Sequence, residues 1–351
     1  MQNRQQQRLK LTAEVLDVGH YSPLVHAIRN VLSTDLAETT YAQLVDGLPI
    51  VDTVWDMRGS LILRGHPLIG HGKVCEGALE RVRFFRANFD VTSLQFDSVV
   101  RRCFSATIFE VTNSDKTLQS YQNSPVGSGG FKLRLVELVA NVVHDIGVLL
   151  FQSENKLHSQ DHIDSVVSWK REPQWVGEGR RRELEEPLEP RPTLFYHVDY
   201  MDHEQYPCGM ADVAGYWAED RIFGGVVVFD RGVLGSECND IYFHSGRRQT
   251  TFRVWKLLDT QFNDLVDFLL ADGPVMPGPF PILASQANRH RHDPWDAIAL
   301  HHIFRDPWER KYPPTKPIPT RDVRTAGDYP ELDDMFDAVQ AASEAQPEED
   351  P

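Results

Sequence analysis

Gly224-Gly-Val-Val-Val-Phe-Asp-Arg-Gly-Val-Leu-Gly-Ser-Glu-Cys-Asn-Asp-Ile-Tyr-Phe-His244 contains two short β-branched and aromatic runs bounded by Gly, Asn and Asp, the pattern of two strands and a connecting turn. Working outward, Thr193–Tyr200, Asp212–Ala218, Gly225–Asp230, Asp240–His244 and Thr250–Leu257 read as short β-rich runs that build one sheet or barrel. Asp259 then caps a helix through Leu270, with Phe262, Leu265, Val266 and Leu269 on one side and Gly273 as its stop. From Gly273 to Pro319 proline and aromatics dominate, which predicts an irregular strap pinned by Trp295 and Trp308.

Upstream the chemistry changes. Phe131–Phe151 spreads Leu135, Leu138, Val139, Val142, Val143, Ile146 and Leu149 over more than one helical face, so this helix belongs in a core. Glu76–Asn88 and Ser93–Phe109 also carry helical spacing, and Ser22-Pro23 has the chemistry of a helix start. Lys10–Leu16, Leu48–Trp55 and Ser60–Leu63 read as strands. The expected class is α+β: a helix-rich mixed first half packed on a β-rich, sheet or barrel-like second half with a Pro/Trp-rich C-terminal strap. The expected divisions are a flexible 1–10, a mixed region 11–169, a charged Pro-rich linker 170–192, a β-rich region 193–320 with helix and strap, and an acidic disordered tail 321–351.

With 351 residues, 41% hydrophobic and 25% charged, the chain has material for a sizeable core, which excludes disorder as the whole answer. Nine acids and no Lys or Arg fall between Thr325 and Pro351, so the rest carries only −6 of the formal −15. A mildly acidic body without a basic run disfavours a nucleic-acid partner. No run approaches the roughly 18 apolar residues of a membrane span, and the polar start lacks a signal-peptide core. The four scattered cysteines (Cys75, Cys103, Cys208, Cys238) signal neither a disulfide framework nor a thiolate zinc site. A soluble cytoplasmic protein is expected.

The densest set of potential ligands is Tyr196-His-Val-Asp-Tyr-Met-Asp-His-Glu204. On a strand, His197 and Asp199 point to the same side and can offer an imidazole and a carboxylate to one metal. His244 supplies a third ligand, followed by arginines at 247, 248 and 253. Two histidines, a carboxylate and a following arginine resemble the facial triad of non-haem Fe(II), 2-oxoglutarate-dependent oxygenases over residues 193–257. The resemblance implies His197, Asp199 and His244 as iron ligands, with Arg253, and Arg248 beside it, toward the keto acid. Tyr216, Trp217 and Tyr242 are candidates to wall a substrate pocket. A second arrangement uses Asp199, Asp202, His203 and Glu204 as a local oxygen-rich site, or, with Asp202, His203 and Glu204 as catalytic groups, as acid and base around a metal-free substrate.

Other motifs are weaker. Asp333-Asp-Met-Phe-Asp337 spells a diphosphate-binding pattern, but in an acidic tail it reads as solvated charge. Gly65–Lys73 departs from P-loop spacing, and Ser128 lacks a nucleophile elbow because Val126 replaces its glycine. His144-Asp145 in the apolar helix reads as a hydrogen-bonded core pair, and His290, His292, His301 and His302 as strap residues.

Ile222–Arg231, Asn239–His244 and Phe304–Lys311 are similar to stretches of uncharacterised filamentous-fungal proteins, which implies a fungal source and, by association, small-molecule biosynthesis. The expected function is therefore a fungal secondary-metabolite enzyme, an oxidoreductase using Fe(II) and 2-oxoglutarate on a small molecule. The alternatives are a metal-free synthase or cyclase, including amino-acid condensation, and a non-catalytic module that binds a protein partner through the strap or tail.

Overall fold

The computed structural model describes residues 11–12, 16–60, 62, 64–90, 94–97, 109–112, 114–171, 174–176, 183–185, 189–273, 277–311, 337 and 340. Strand β1 is Leu11–Thr12. Helix α1 spans Val18–Leu32, so it begins ahead of the expected Ser22-Pro23 start and contains Pro23. The stronger cap wins: the Asp17 carboxylate accepts from the His20 amide at 3.0 Å and faces its ring nitrogen at 2.8 Å. Thr34 caps α2 (Asp35–Asp46), which Gly47 ends at a φ of 96°.

Val51–Trp55 forms a short helix, α3, and not the strand expected over Leu48–Trp55. Its entry is fixed by donors that a sheet would otherwise satisfy, since the Ile50 amide bonds Gln43 Oε1 and the Val51 amide bonds the His71 carbonyl. Of the strand expected at Ser60–Leu63, Leu61 and Leu63 lie outside the described residues. Helix α4 is Glu76–Asn88, as its spacing predicts. The helix expected over Ser93–Phe109 is not formed where the chain is described. Leu94–Asp97 (β2) pairs parallel with Phe109–Thr112 (β3) and antiparallel with β1. Between β2 and β3 the residues lie outside those described.

Helix α5 spans Ser114–Asn123 and the apolar α6 spans Gly129–Gln152, where Ser128 accepts from the Phe131 amide as its N-cap. Ser159 caps α7 (Gln160–Val167). Within the expected linker, Gln174–Val176 (β4) and Glu183–Glu185 (β5) pair as an antiparallel ribbon. Residues 1–10 and nearly all of the acidic tail, including Asp333 and Asp334, lie outside the described residues.

Two expected strands take other forms. Residues 193–209 run as successive turns, with the Tyr200 amide bonded to the His197 carbonyl. Asp212–Ala218 lies within α8, Met210–Phe223. That helix is buried on every side from Ala211 to Phe223, so it has no polar face to mark the helical period, and its aromatic and valine content reads as strand. Small residues let it meet α6: a Cβ on Gly147 would lie 3.1 Å from the Ala218 methyl, and one on Gly215 would lie 2.8 Å from the His144 ring. Gly224, at a φ of 104°, ends α8 and turns the chain into the sheet.

The sheet is antiparallel and curled, in the order Ile303–Phe304 (β10), Val226–Asp230 (β6), Ile241–His244 (β7), Val254–Lys256 (β8) and Arg291–His292 (β9). Register sets Val226 opposite His244 and Phe243 opposite Trp255. Helix α9 spans Asp259–Leu270 with Leu258, not Asp259, at the cap position. The strap is more ordered than its composition suggests. It holds α10 (Pro294–Ala299) and supplies both outer strands of the sheet.

The chain is α+β, with α1 to α7 in the first half and the curled sheet, together with α8, α9 and α10, in the second. One hydrophobic cluster runs from Leu16 to Ile303, with Trp217, Trp255 and Phe243 fully buried, and so both sides of the 170–192 segment contribute to a shared core. At about 1.5–3 kcal/mol for each large side chain buried, this shared interior is what holds the sheet to α6 and α8. Cys208 is disulfide-bonded, which the scattered cysteine pattern did not announce and which runs against a reducing compartment. Among the described residues no helix is long and apolar enough to cross a membrane.

Candidate metal centre

The turns of residues 193–209 are tied to the segment after α3 and to the chain just before them by Tyr196. The Tyr196 hydroxyl donates to the Gly59 carbonyl at 3.0 Å, and the Arg191 guanidinium covers the Tyr196 ring. Gly246, just beyond β7, provides the close approach: a Cβ there would lie 2.7 Å from the His197 ring. The Gly246 amide is fixed in turn by the buried Asp220 carboxylate at 2.7 Å. His197 thereby comes against His244, the last residue of β7, with ring centroids 5.1 Å apart.

His197, Asp199 and His244 each offer a ligand atom, and these atoms all lie within 4.8 Å of one another. His244 Nε2 is 3.2 Å and His197 Nδ1 3.9 Å from Asp199 Oδ2. Both imidazoles are buried, while the Asp199 side chain is 32% exposed and gives the cluster its solvent face. The donor set suits a divalent transition metal, and closing on an ion with ligand distances near 2.1 Å asks the three atoms to draw in by about 1 Å. Orientation is already supplied. His197 Nε2 bonds the His244 carbonyl at 3.1 Å, and His244 Nδ1 meets the Tyr200 hydroxyl at 3.2 Å, the outer hydrogen bonds that ligating histidines commonly make.

Without a metal the same atoms satisfy one another. The Asp199 amide donates to His197 Nδ1 at 3.2 Å, and His244 Nε2 also lies 3.1 Å from the Phe252 carbonyl. Burial pushes the His197 imidazole down to about 4, opposed by the nearby Asp220 carboxylate, so it is neutral and ligand-competent at neutral pH. Burial by itself would raise the Asp199 carboxyl, but His244 and His197 together with Arg310 outweigh it and hold it well below the usual carboxylate range.

The sequence pattern missed two arginines coupled to this carboxylate, Arg310 and Arg58. Arg58 donates through Nη2 to the Arg247 and Thr250 carbonyls at 3.2 and 3.0 Å, while its buried Nη1 has no hydrogen-bond partner among the described residues. Burial lowers the Arg58 guanidinium, and Asp199 and Asp220 are the charges that oppose this. Of the arginines picked from sequence, Arg253 is buried with its guanidinium 5.7 Å from the Phe252 ring. Arg248 is exposed, over the Trp55 ring. No motif pointed to Arg58, because it reaches the cluster from just after α3, far away in sequence.

Of the remaining candidates, Trp217 and Tyr216 lie inside the core on α8, where Tyr216 packs against His144, Tyr200 and Tyr206. Tyr242 sits on β7 beside His292. Asp202 accepts from the Lys311 amide at 2.6 Å, the His203 ring turns to the Met201 carbonyl, and Glu204 is exposed. None of those three lines the cavity of about 630 Å³ that opens between Thr117, Arg134, Glu137, Arg231 and Trp308. In that cavity Glu137 is spent on Arg134 and Arg231 at 2.7 and 2.6 Å. His144 joins a buried charge network, 3.2 Å from Asp212 and 3.2 Å from Arg305, which in turn binds Glu219. Comparison with family models, with curated proteins and with solved structures finds no match to this chain.

Proposed function

We propose that the protein is a mononuclear metal enzyme that oxidises a small molecule with Fe(II) and 2-oxoglutarate. The observation that carries the reading is the convergence of His197, Asp199 and His244, 47 residues apart at their extremes. Bound iron would supply open positions for the keto acid and oxygen. The chain's own residues do the rest. His197 and Asp199 arrive already neutral and ionised, Tyr200 and the His244 carbonyl fix ring orientation, and Asp199 keeps an edge toward solvent. Arg58, with a free donor buried beside the cluster, is the better-placed anchor for the far carboxylate of the keto acid. A role in small-molecule biosynthesis belongs to the same proposal.

A second reading is favoured by the 3.2 Å contact between His244 Nε2 and Asp199 Oδ2, which also suits a metal-free acid–base pair in a synthase or cyclase. Anaerobic titration with Fe(II) and 2-oxoglutarate separates the two. The iron reading expects a visible charge-transfer band in wild type that is lost in His197→Ala and Asp199→Ala. A folded wild type with neither band nor bound iron removes the oxygenase and leaves the acid–base pair.

A further inference from the structure

We propose that Asp46, His71, Cys75 and His158 form a second metal site, a four-ligand zinc clamp that ties the end of α2 to the start of α4 and to the chain leaving α6. Nothing in it overlaps the His197 cluster. Asp46 is the last residue of α2, and His71 follows the 3-10 turn Pro67–Gly70. Cys75 is the N-cap residue of α4, and His158 stands just before α7. Ligand atoms of Asp46, Cys75 and His158 all lie within 4.8 Å of one another. His71 Nε2 is 3.1 Å from Asp46 Oδ2, His158 Nε2 is 3.5 Å from Oδ1, and Cys75 Sγ is 3.8 Å from His158 Nε2.

The independent sign of a ligand is that, although Cys75 Sγ and His158 Nε2 are within hydrogen-bond reach, the approaches of His71 and His158 to the Asp46 carboxylate are not aligned as hydrogen bonds. Asp46 is 0% exposed, yet its Oδ1 has no hydrogen-bond partner, and neither does the buried His71 Nε2 at its 3.1 Å separation from the carboxylate. A buried carboxylate oxygen whose nearest donor, His158 Nε2 at 3.5 Å, is not aligned to hydrogen-bond it is costly, on the order of 1–3 kcal/mol. Atoms that face one another closely without donor alignment are arranged as ligands are around a common centre. The second carboxylate oxygen accepts from the Cys75 amide at 3.3 Å, which orients the group.

A thiolate, two imidazoles and a carboxylate select zinc over the harder, oxygen-loving cations, and four protein ligands close the tetrahedron as in structural sites. The surrounding backbone is built to hold the cluster. The His158 amide bonds the Asp46 carbonyl at 3.3 Å, and Lys156 Nζ bonds the Leu44 and Leu150 carbonyls at 2.8 and 2.7 Å.

Chelator-treated, refolding-competent full-length protein titrated with Co²⁺ tests this directly. The expected result is a near-ultraviolet sulfur-to-cobalt charge-transfer band with tetrahedral visible bands, displaced by one equivalent of Zn²⁺. The band should persist in Asp199→Ala, because the His197 cluster holds no sulfur. Cys75→Ser should abolish it, and His158→Gln should weaken zinc binding by at least the roughly 10–100-fold that changes around a site produce. Absence of the charge-transfer band in folded wild type overturns the proposal whether or not either variant folds. So does a band that survives Cys75→Ser. A band lost in Asp199→Ala would overturn the separation of the two sites.

Discussion

The His197–Asp199–His244 cluster and the Asp46–His71–Cys75–His158 cluster are both built from imidazole and carboxylate, but they are supported in opposite ways. In the first, backbone carbonyls and a tyrosine hydroxyl already occupy the imidazole nitrogens, and the only solvent-facing member is Asp199. In the second the carboxylate is the sealed member, while His71 and His158 keep side-chain exposures of 14% and 22%. The first can persist as a satisfied polar cluster without metal. The second leaves Asp46 Oδ1 and His71 Nε2 in ion-pair range of their neighbours but without a hydrogen bond.

Removing an imidazole from each is the sharpest way to break this contrast. His244→Ala strands the Tyr200 hydroxyl and Phe252 carbonyl in a fully buried site and should cost about 3–4 kcal/mol in urea unfolding of metal-free protein, against about 1 kcal/mol or less for His158→Ala. Equal losses would mean that the two clusters are supported alike.

Acid titration of the metal-free protein comes next. His197 folds with its pKa lowered to about 4, so the unfolded chain binds the extra proton between about pH 6.5 and 4. Its contribution is fully present above pH 6.5 and is lost as pH falls toward 4, roughly 3 kcal/mol in all. The slope should flatten in that window in a folded His197→Gln variant.

A smaller difference concerns protons released on metal uptake. Burial and the neighbouring Asp46 push the Cys75 thiol up, so binding at the second cluster must displace its proton, and affinity there should rise by about tenfold for each pH unit through neutrality. His197 and Asp199 contribute no such proton between about pH 5 and 8. Proton release measured by calorimetry in buffers of different ionisation enthalpy would show the extra proton only in protein with Cys75 intact.

The smallest expected effect separates the arginines. Arg58→Met should raise the half-saturating 2-oxoglutarate concentration by about tenfold, one charge-assisted hydrogen bond, without changing iron stoichiometry, whereas the exposed Arg248→Met should leave it unchanged. The reverse order would return the anchor to the arginines that follow His244.

These two clusters also mark what could be read from the sequence. His197 and Asp199 are two apart and His244 ends a run that alternates as a strand, so the set was legible, although its first pair sits on turns and not on a strand. The other four ligands come from four separate elements, and the spacing between Cys75 and any second cysteine hid them. Arg58 was invisible for the same reason. Among the fold elements, α4, α6, α9 and the strands β6 and β7 announced themselves by period. The helix α8 did not, because burial on every side erased the polar face that periodicity needs, and the strap's strands were hidden by proline around them.

The two outer strands of the sheet both come from residues 291–304, after every inner strand has been made. On a ribosome adding about 5–20 residues per second, β6, β7 and β8 emerge with both flanks of the ribbon open and must wait for some fifty further residues before they are covered. The strap is thus the last-arriving guard of two sticky borders, and a nascent chain stopped before Arg291 is the form of this protein most exposed to edge-to-edge association.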